Sequence, residues 1–552
     1  MSDADGTCEY ILDPDEPETW NETIGDRVPI LPSEKLDEDG KWHCPYNKSK
    51  EGDNFCIYHK KIEIKDEKEV ENRFKKLLLS DKSNHNSIEL IGAKFGDVQL
   101  SDISSITGDE VDLSFTEFNS FSIEQCTINT DFILHGSKFN GVLDFSDVCF
   151  KQRSVFSSSI FYEKAKFSEI NEGKEEYKFS TFESDARFER AVFMKQSVFS
   201  YVNFQKAEFR NCTFESECKF DLSSSNLGVD FSKSKFRGKT TFLAAEFNSA
   251  IFENTQFQSD TVFSGIKHEQ MLSFESSVIM GDADFNEVDL TGVNFTEVDV
   301  YNGDFESALM SRSQLFGADF RGTKLYGAVL GDVRIDEDTQ FLGHPDDDSD
   351  SSPHTFSAIR SKPCCVYDPN HEKDNNEPNP DKAKSVYRAL EELAGKAART
   401  RLQSQCFVRR QDLQKDGYKQ DAKEAESWQE RLIAGARYSR AKVARTTLLY
   451  GESPWRIIGG SIGFIFRVSL LYPFGEWLRP AAGEPITYSR ILGEEWSLLL
   501  ESLYFSTLTF TTLGIGDYEP MGFGQVLATL NTALGAVLIA LLVFVLGRRA
   551  AR

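Results

Sequence analysis

The chain has 552 residues, and 88 Asp and Glu against 62 Lys and Arg leave a formal charge of −26. That length has room for several domains, and so broad an acidic surplus argues against a nucleic-acid-binding surface. Ten cysteines do not make a disulfide framework at this length, so reduced thiols inside the cell are expected; Met1 to Asp26 is acidic and lacks the apolar core of a signal peptide.

Residues 1–62 carry Cys8, Cys44 and the run Cys56-Ile57-Tyr58-His59. Three thiolates and one imidazole complete a tetrahedral zinc set, and Cys-x2-His has the spacing of a chelate loop. The surrounding Gly40, Pro45 and Gly52 favour turns, and about sixty residues with so little apolar periodicity would hardly fold without a metal. A structural zinc held by Cys8, Cys44, Cys56 and His59 is therefore expected, with His43 as the alternative imidazole. The set leaves no position open for water, which speaks against a catalytic metal. Within residues 63–90, the Lys- and Glu-rich stretch from Lys61 to Ser80 with Leu77-Leu78-Leu79 predicts a short amphipathic helix that caps the next segment of the chain.

Residues 91–338 repeat. Large apolar side chains recur every five residues at Phe285, Leu290, Phe295, Val300, Phe305, Met310, Leu315, Phe320, Leu325, Leu330 and Ile335. A small or β-branched residue stands two positions before most of them, as at Ala283, Val288, Ala308 and Ala318. Earlier the spacing alternates between five and six, from Phe182 through Phe188, Phe193 and Phe199 to Phe220. Neither a helical nor a strand period accounts for this. The pattern resembles the pentapeptide-repeat family, which implies a right-handed quadrilateral β-helix with one pentapeptide on each of four faces. At roughly 21 residues per coil, about twelve coils and a rod on the order of 55 Å are expected. Cys126, Cys212 and Cys218 fall at the small-residue position and are expected in the core, not as ligands. Gly238-Lys239 and the polar stretch from Asn171 to Tyr177 interrupt the rhythm and predict bulges or loops.

Residues 339–380 are acidic and rich in Pro, Ser and Asn, which predicts an exposed, disordered connection; His354, Cys364, Cys365 and His371 within it are a weaker metal candidate. Residues 381–450 have helical periodicity at Val386, Leu390, Leu393, Ala394 and Ala398, then around Phe407 and at Trp428, Leu432 and Ile433, and predict two or three amphipathic coupling helices.

Residues 451–552 hold two apolar stretches, Trp455 to Trp477 and Phe523 to Leu546. The second is uncharged and, at 1.5 Å per residue, roughly 36 Å long, enough to span a bilayer. The first is interrupted by Arg467, which should snorkel or face a protein partner. Between them the run from Glu495 to Phe510 is too short and too polar to span and suits a re-entrant helix. It leads into Thr511-Thr512-Leu513-Gly514-Ile515-Gly516-Asp517.

That heptapeptide resembles the selectivity filter of potassium channels, TVGYG followed by Asp, and its setting resembles the two-transmembrane potassium-channel domain. The resemblance implies that backbone carbonyls of Thr512, Leu513, Gly514, Ile515 and Gly516 hold a dehydrated cation, that Asp517 anchors the outer end, and that Gly535 is a gating hinge. Glycine at Gly535 would equally let helices pack closely. Ile515 departs from the Tyr or Phe usual there, which weakens the inference to potassium over sodium. Four copies are needed to encircle an ion, so a homotetramer is expected. Basic clusters at Arg431, Arg437, Arg440, Lys442 and Arg445, and at Arg548, Arg549 and Arg552, place both termini in the cytoplasm of a multi-pass cell-membrane protein.

These readings converge on a cation channel, expected to pass K+, whose cytoplasmic β-helix is a sensor or scaffold open to a protein partner or small ligand. The rival reading is a membrane-anchored scaffold that binds partners through the acidic rod without conduction. No catalytic constellation stands out among the eight histidines, so an enzyme is not expected.

Overall fold

The computed structural model describes residues 6–16, 19, 31–50, 53–79, 87–171, 176–343, 363–371, 378–481, 483–493, 496–513 and 516–550. It divides into two compact units, Met1–Val386 and Tyr387–Arg552.

In the first unit the repeats wind into a β-solenoid of about 10 turns. Parallel strands carry Phe139, Phe161, Phe193, Phe214, Phe236 and Phe257 directly above one another. Their ring centroids lie 4.6–4.9 Å apart with planes within 6° of parallel. The strand spacing of a β-ladder dictates this stacking, since identical side chains in register must sit one strand repeat apart. Neighbouring ladders meet edge to face instead, as Phe199 and Phe209 do at 5.2 Å and 81°, a geometry that aromatic rings favour.

The small inward positions solve a second problem, because carbonyls at the corners point into the core. Ser234 Oγ donates to Phe209 O at 2.5 Å, Thr255 Oγ1 to Phe231 O at 3.0 Å, and Cys212 Sγ to Phe188 O at 2.9 Å. Cys212 thus stands in for a hydroxyl, and Cys126 and Cys218 are buried as expected. The corners turn through left-handed backbone at Arg190, Tyr201 and Asn211 (φ 62, 62 and 57°), a conformation that Gly292 and Gly317 adopt at equivalent corners.

Part of the shortfall from the expected twelve coils has a visible reason. The step from Phe161 to Phe193 spans 32 positions because Ser168–Asn171 and Glu176–Phe179 leave the coil as an antiparallel hairpin. Gly238 forms no bulge: a Cβ there would lie 2.2 Å from the Ser216 carbonyl carbon, so glycine permits the coils to close.

Helix α1 is Glu67–Leu79, shorter than the stretch the sequence suggested. Asp66 starts it by accepting from the amides of Lys68 and Glu69, and a 3-10 turn, Ile62–Ile64, precedes it. Val70, Phe74 and Leu78 are buried, and the Phe74 ring lies 5.0 Å from Phe95 at the first turn of the solenoid. At the far end the expectation of an exposed connection does not hold for residues 364–367, while residues 344–362 and 372–377 lie outside the described residues. Cys364, Cys365, Val366 and Tyr367 are buried, with Gly343 N donating to Cys364 O at 3.1 Å.

The remainder is helical. Helix α2 (Pro380–Lys396) begins in the first unit and continues into the second, followed by α3 (Thr400–Glu424) and α4 (Trp428–Val443). Their polar contacts are specific: Arg445 Nε donates to Asp412 Oδ1 at 2.6 Å, and Arg410 pairs with Glu391 at 2.7 Å. Trp428, Leu432 and Ile433 lie on α4, as their helical spacing suggested, and all three are exposed. Left-handed backbone at Leu449 and Tyr450 (φ 47 and 56°) ends this region before α5 (Pro454–Leu471). Short α6 (Tyr488–Leu492), α7 (Ser497–Phe510) and the long α8 (Phe523–Ala550) complete the unit.

Candidate pore and metal centre

Pro454 opens α5 at a position where its missing N–H costs nothing, and the apolar stretch continues to Gly475; α8 offers a second such stretch, Phe523–Gly547. Both are long and apolar enough to cross a membrane. Between them α7 has only 14 residues, about 21 Å, too short to cross. It packs against α5 and α8 around Tyr472, Leu478, Ile486 and Phe505. The strand Leu478–Pro480 pairs antiparallel with Tyr518–Pro520, and Ala481 N donates to Asp517 O at 3.0 Å. The segment after the heptapeptide is thereby held to the segment after α5.

At the C-terminal end of α7 the chain folds back on its own last turn. Thr511 N donates to Thr507 O at 2.9 Å and Leu513 N to Leu508 O at 3.0 Å, while Thr512 has φ 61° and Leu513 is exposed. No heavy atom of another residue would meet a Cβ at Gly516. Gly514 and Ile515 lie outside the described residues.

A polar seam crosses this apolar bundle, and sequence reasoning missed it. Asn531 of α8 is fully buried; its Nδ2 donates to Ser506 O at 2.8 Å and to Thr509 Oγ1 at 2.6 Å. Ser506 Oγ in turn donates to Ile465 O of α5 at 2.9 Å. In lipid such groups must find partners inside the protein, and here they tie three helices together at the end of α7. The signal was available: an amide side chain in a stretch chosen for its apolar character. Four residues on, a Cβ at Gly535 would lie 1.9 Å from Phe510 O. Glycine there lets α8 rest on the end of α7, the close-packing role weighed beside the hinge; α8 runs unbroken through it. Arg467 is exposed on α5.

The second site gathers Cys8, Cys44, Cys56 and His59, all buried, with their ligand atoms within 4.8 Å of one another. The strand Ile11–Leu12 pairs with Trp42–His43 and so brings Cys8 and Cys44 together. Cys44 Sγ and Cys56 Sγ are 3.8 Å apart, Cys8 Sγ and His59 Nδ1 3.8 Å, and Cys56 Sγ and His59 Nδ1 3.1 Å. A tetrahedron of thiolates at 2.3 Å from a zinc has edges of about 3.8 Å, the spacing of the Cys44 and Cys56 sulfurs, so the donor set suits such an ion once the closer Cys56 and His59 atoms draw apart. His59 Nε2 donates to Ile91 O at 2.9 Å, which leaves Nδ1 bare toward the thiols. The Tyr10 ring stacks on the imidazole at 4.0 Å. Hydrogen bonds from Cys44 and Cys56 draw Cys8 toward thiolate. His43, the alternative, is exposed and pairs with Asp37 at 2.7 Å, outside the cluster. Among the described residues no other cluster of metal-ligating side chains of this size forms. Cys364 Sγ and His371 Nδ1 come only to 3.9 Å, and His354 lies outside the described residues.

Residues 481–552 match a family model described as ion channel, and residues 280–312 match one described as pentapeptide repeats, eight copies. No curated protein matches the chain. Among solved structures the chain is similar to trypsin-treated QnrB1, a plasmid-mediated fluoroquinolone resistance protein, at 17% identity and a TM-score of 0.15, covering 44% of this chain and 91% of that one. Full-length QnrB1 gives 14% identity and a TM-score of 0.13, covering 44% and 94%. The channel match and the two apolar helices mark a membrane protein with a channel domain, and the repeats mark its solenoid.

Proposed function

We propose that this pentapeptide-repeat protein with an ion-channel domain is a homotetrameric, potassium-selective channel of the cell membrane, with its solenoid in the cytoplasm as sensor or scaffold. The observation that carries the reading is the re-entrant α7, too short to span, wedged between two spanning-length helices and leading into Thr512 to Asp517. Four chains would bring four such segments round one axis. Carbonyls of Thr512, Leu513, Gly514, Ile515 and Gly516 would then replace the water around an ion, and Asp517, already tied to Ala481, would hold the outer end. The C-terminal end of α7 would aim its partial negative charge at the cavity below. Gly535 would act first as the contact that seats α8, and flexing at the same point is its role as hinge. Arginines at both ends of the membrane domain support cytoplasmic termini.

The Cys8, Cys44, Cys56 and His59 set would hold one structural zinc, which supplies a fixed tetrahedral cross-link and no chemistry, since the four protein donors fill its coordination.

Reconstitution into vesicles tests the function. Wild-type protein should carry K+ current with four chains per channel, whereas Gly514→Ala should not; a monomer or a silent wild type would favour the anchored scaffold. Zinc released on denaturation should number one per chain.

A further inference from the structure

At the C-terminal end of the solenoid three side chains, Glu306, Tyr326 and Tyr367, surround the ammonium of a fourth, Lys382. Lys382, in the first turn of α2, places Nζ 2.7 and 3.0 Å from the two carboxylate oxygens of Glu306. The same ammonium lies 4.7 Å from the ring centroid of Tyr326 and 5.4 Å from that of Tyr367. The two rings stand 6.4 Å apart at 71°, forming two walls of a corner, and Tyr367 Oη donates to Glu306 Oε1 at 2.7 Å, which fixes the carboxylate as its floor. Asn379 N donates to Tyr367 O at 2.9 Å, and Asn379 Oδ1 accepts from Lys382 N at 3.0 Å, so the lysine is delivered to the corner by the start of the helix. The Tyr326 ring is 38% exposed and the Lys382 side chain 32%, so the corner opens to solvent.

Two aromatic faces with a carboxylate are the groups that recognise an organic ammonium ion: the ring quadrupoles attract the spread positive charge and the anion neutralises it. A simple ion pair would need only Glu306. A buried lysine would need no open side. We propose that Tyr326, Tyr367 and Glu306 form a binding site for small organic ammonium compounds, filled in the resting chain by Lys382 as a tethered occupant. A ligand that takes the corner displaces Lys382 and frees the first turn of α2 from the solenoid.

Tethering sets how the site behaves. Lys382 is present at a high effective concentration, so it competes with any free ligand and weakens the ligand's apparent affinity. Removing it should empty the corner without damaging the walls. The test uses full-length protein in detergent with tetramethylammonium chloride as the probe and sodium chloride at equal ionic strength as the control. Lys382→Gln should bind tetramethylammonium about tenfold more tightly than wild type. Tyr326→Leu in the Lys382→Gln background should remove most of that gain. In wild type, saturating tetramethylammonium should speed amide exchange over residues 380–386 and leave the solenoid core unchanged. Equal affinity of Lys382→Gln and wild type, a gain that survives Tyr326→Leu, or unchanged exchange at the start of α2 would each overturn the proposal. None of these readouts depends on conduction, so the site and the channel stand or fall separately.

Discussion

The two units of this chain reach stability by opposite means. Residues 1–386 hold 72 acidic and 41 basic groups, net −31, whereas residues 387–552 hold 16 and 21, net +5. The solenoid closes on itself, with aromatic ladders buried and corner carbonyls satisfied by Ser, Thr or Cys of the next turn. Its acidic skin then suits water and keeps copies apart. The pore unit leaves Val526, Leu530, Val543 and Phe544 of α8 exposed, and keeps its polar groups, Asn531 and Ser506, inside. That inversion is what a bilayer asks for, and an isolated chain of this kind is incomplete without lipid or further copies. The lesson is that the same alphabet of Phe, Ser and Asn stabilises one unit by facing apolar groups inward and the other by facing them out.

Breaking each unit at its own weak point sharpens the contrast. The largest effect should come from the metal set. With the proposed zinc bound, Cys56→Ser or a strong chelator should remove about 10 kcal/mol or more of binding energy from the N-terminal module. Because His59 is tied to Ile91, amide exchange over residues 88–100 should rise sharply while exchange near Phe231 stays slow. Within the solenoid, Phe231→Ala leaves Phe209 and Phe252, stacked on either side at 5.1 and 5.0 Å, facing a cavity. A loss of about 3–5 kcal/mol in urea unfolding of the first unit is expected.

In the pore unit the comparable steps are smaller and act on assembly. Gly535→Ala forces a methyl into the Phe510 carbonyl, which should cost about 1–3 kcal/mol and reduce current more than it reduces secondary structure. Asn531→Leu keeps volume but removes the donors to Ser506 and Thr509; a loss of about 1 kcal/mol in thermal unfolding in detergent is expected, with no change in the solenoid's transition.

How far each feature could be read from the sequence depends on the range of its contacts. The solenoid was legible because its period is five and its contacts repeat every coil, so Phe285 to Phe320 declare the register unaided. The Cys8, Cys44, Cys56 and His59 set was legible because those residue types are scarce. The hairpin after Phe167 showed only as lost rhythm, since polar residues do not say whether they loop or pair. Burial of Cys364 to Tyr367 was hidden by the polar residues around them. The Lys382 corner could not be read, because Glu306 stands 76 positions away and nothing in the spacing of Glu306, Tyr326 and Tyr367 links them to one another. Exposure of Trp428, Leu432 and Ile433 on α4 could not be read, because helical spacing identifies an apolar face without saying what covers it.

Potassium flux through vesicles holding the purified chain decides whether it conducts. K+ uptake should exceed Na+ uptake in wild type and vanish in Gly514→Ala at equal protein content. Wild-type vesicles no leakier than protein-free lipid, or equal flux through both proteins, would contradict that expectation.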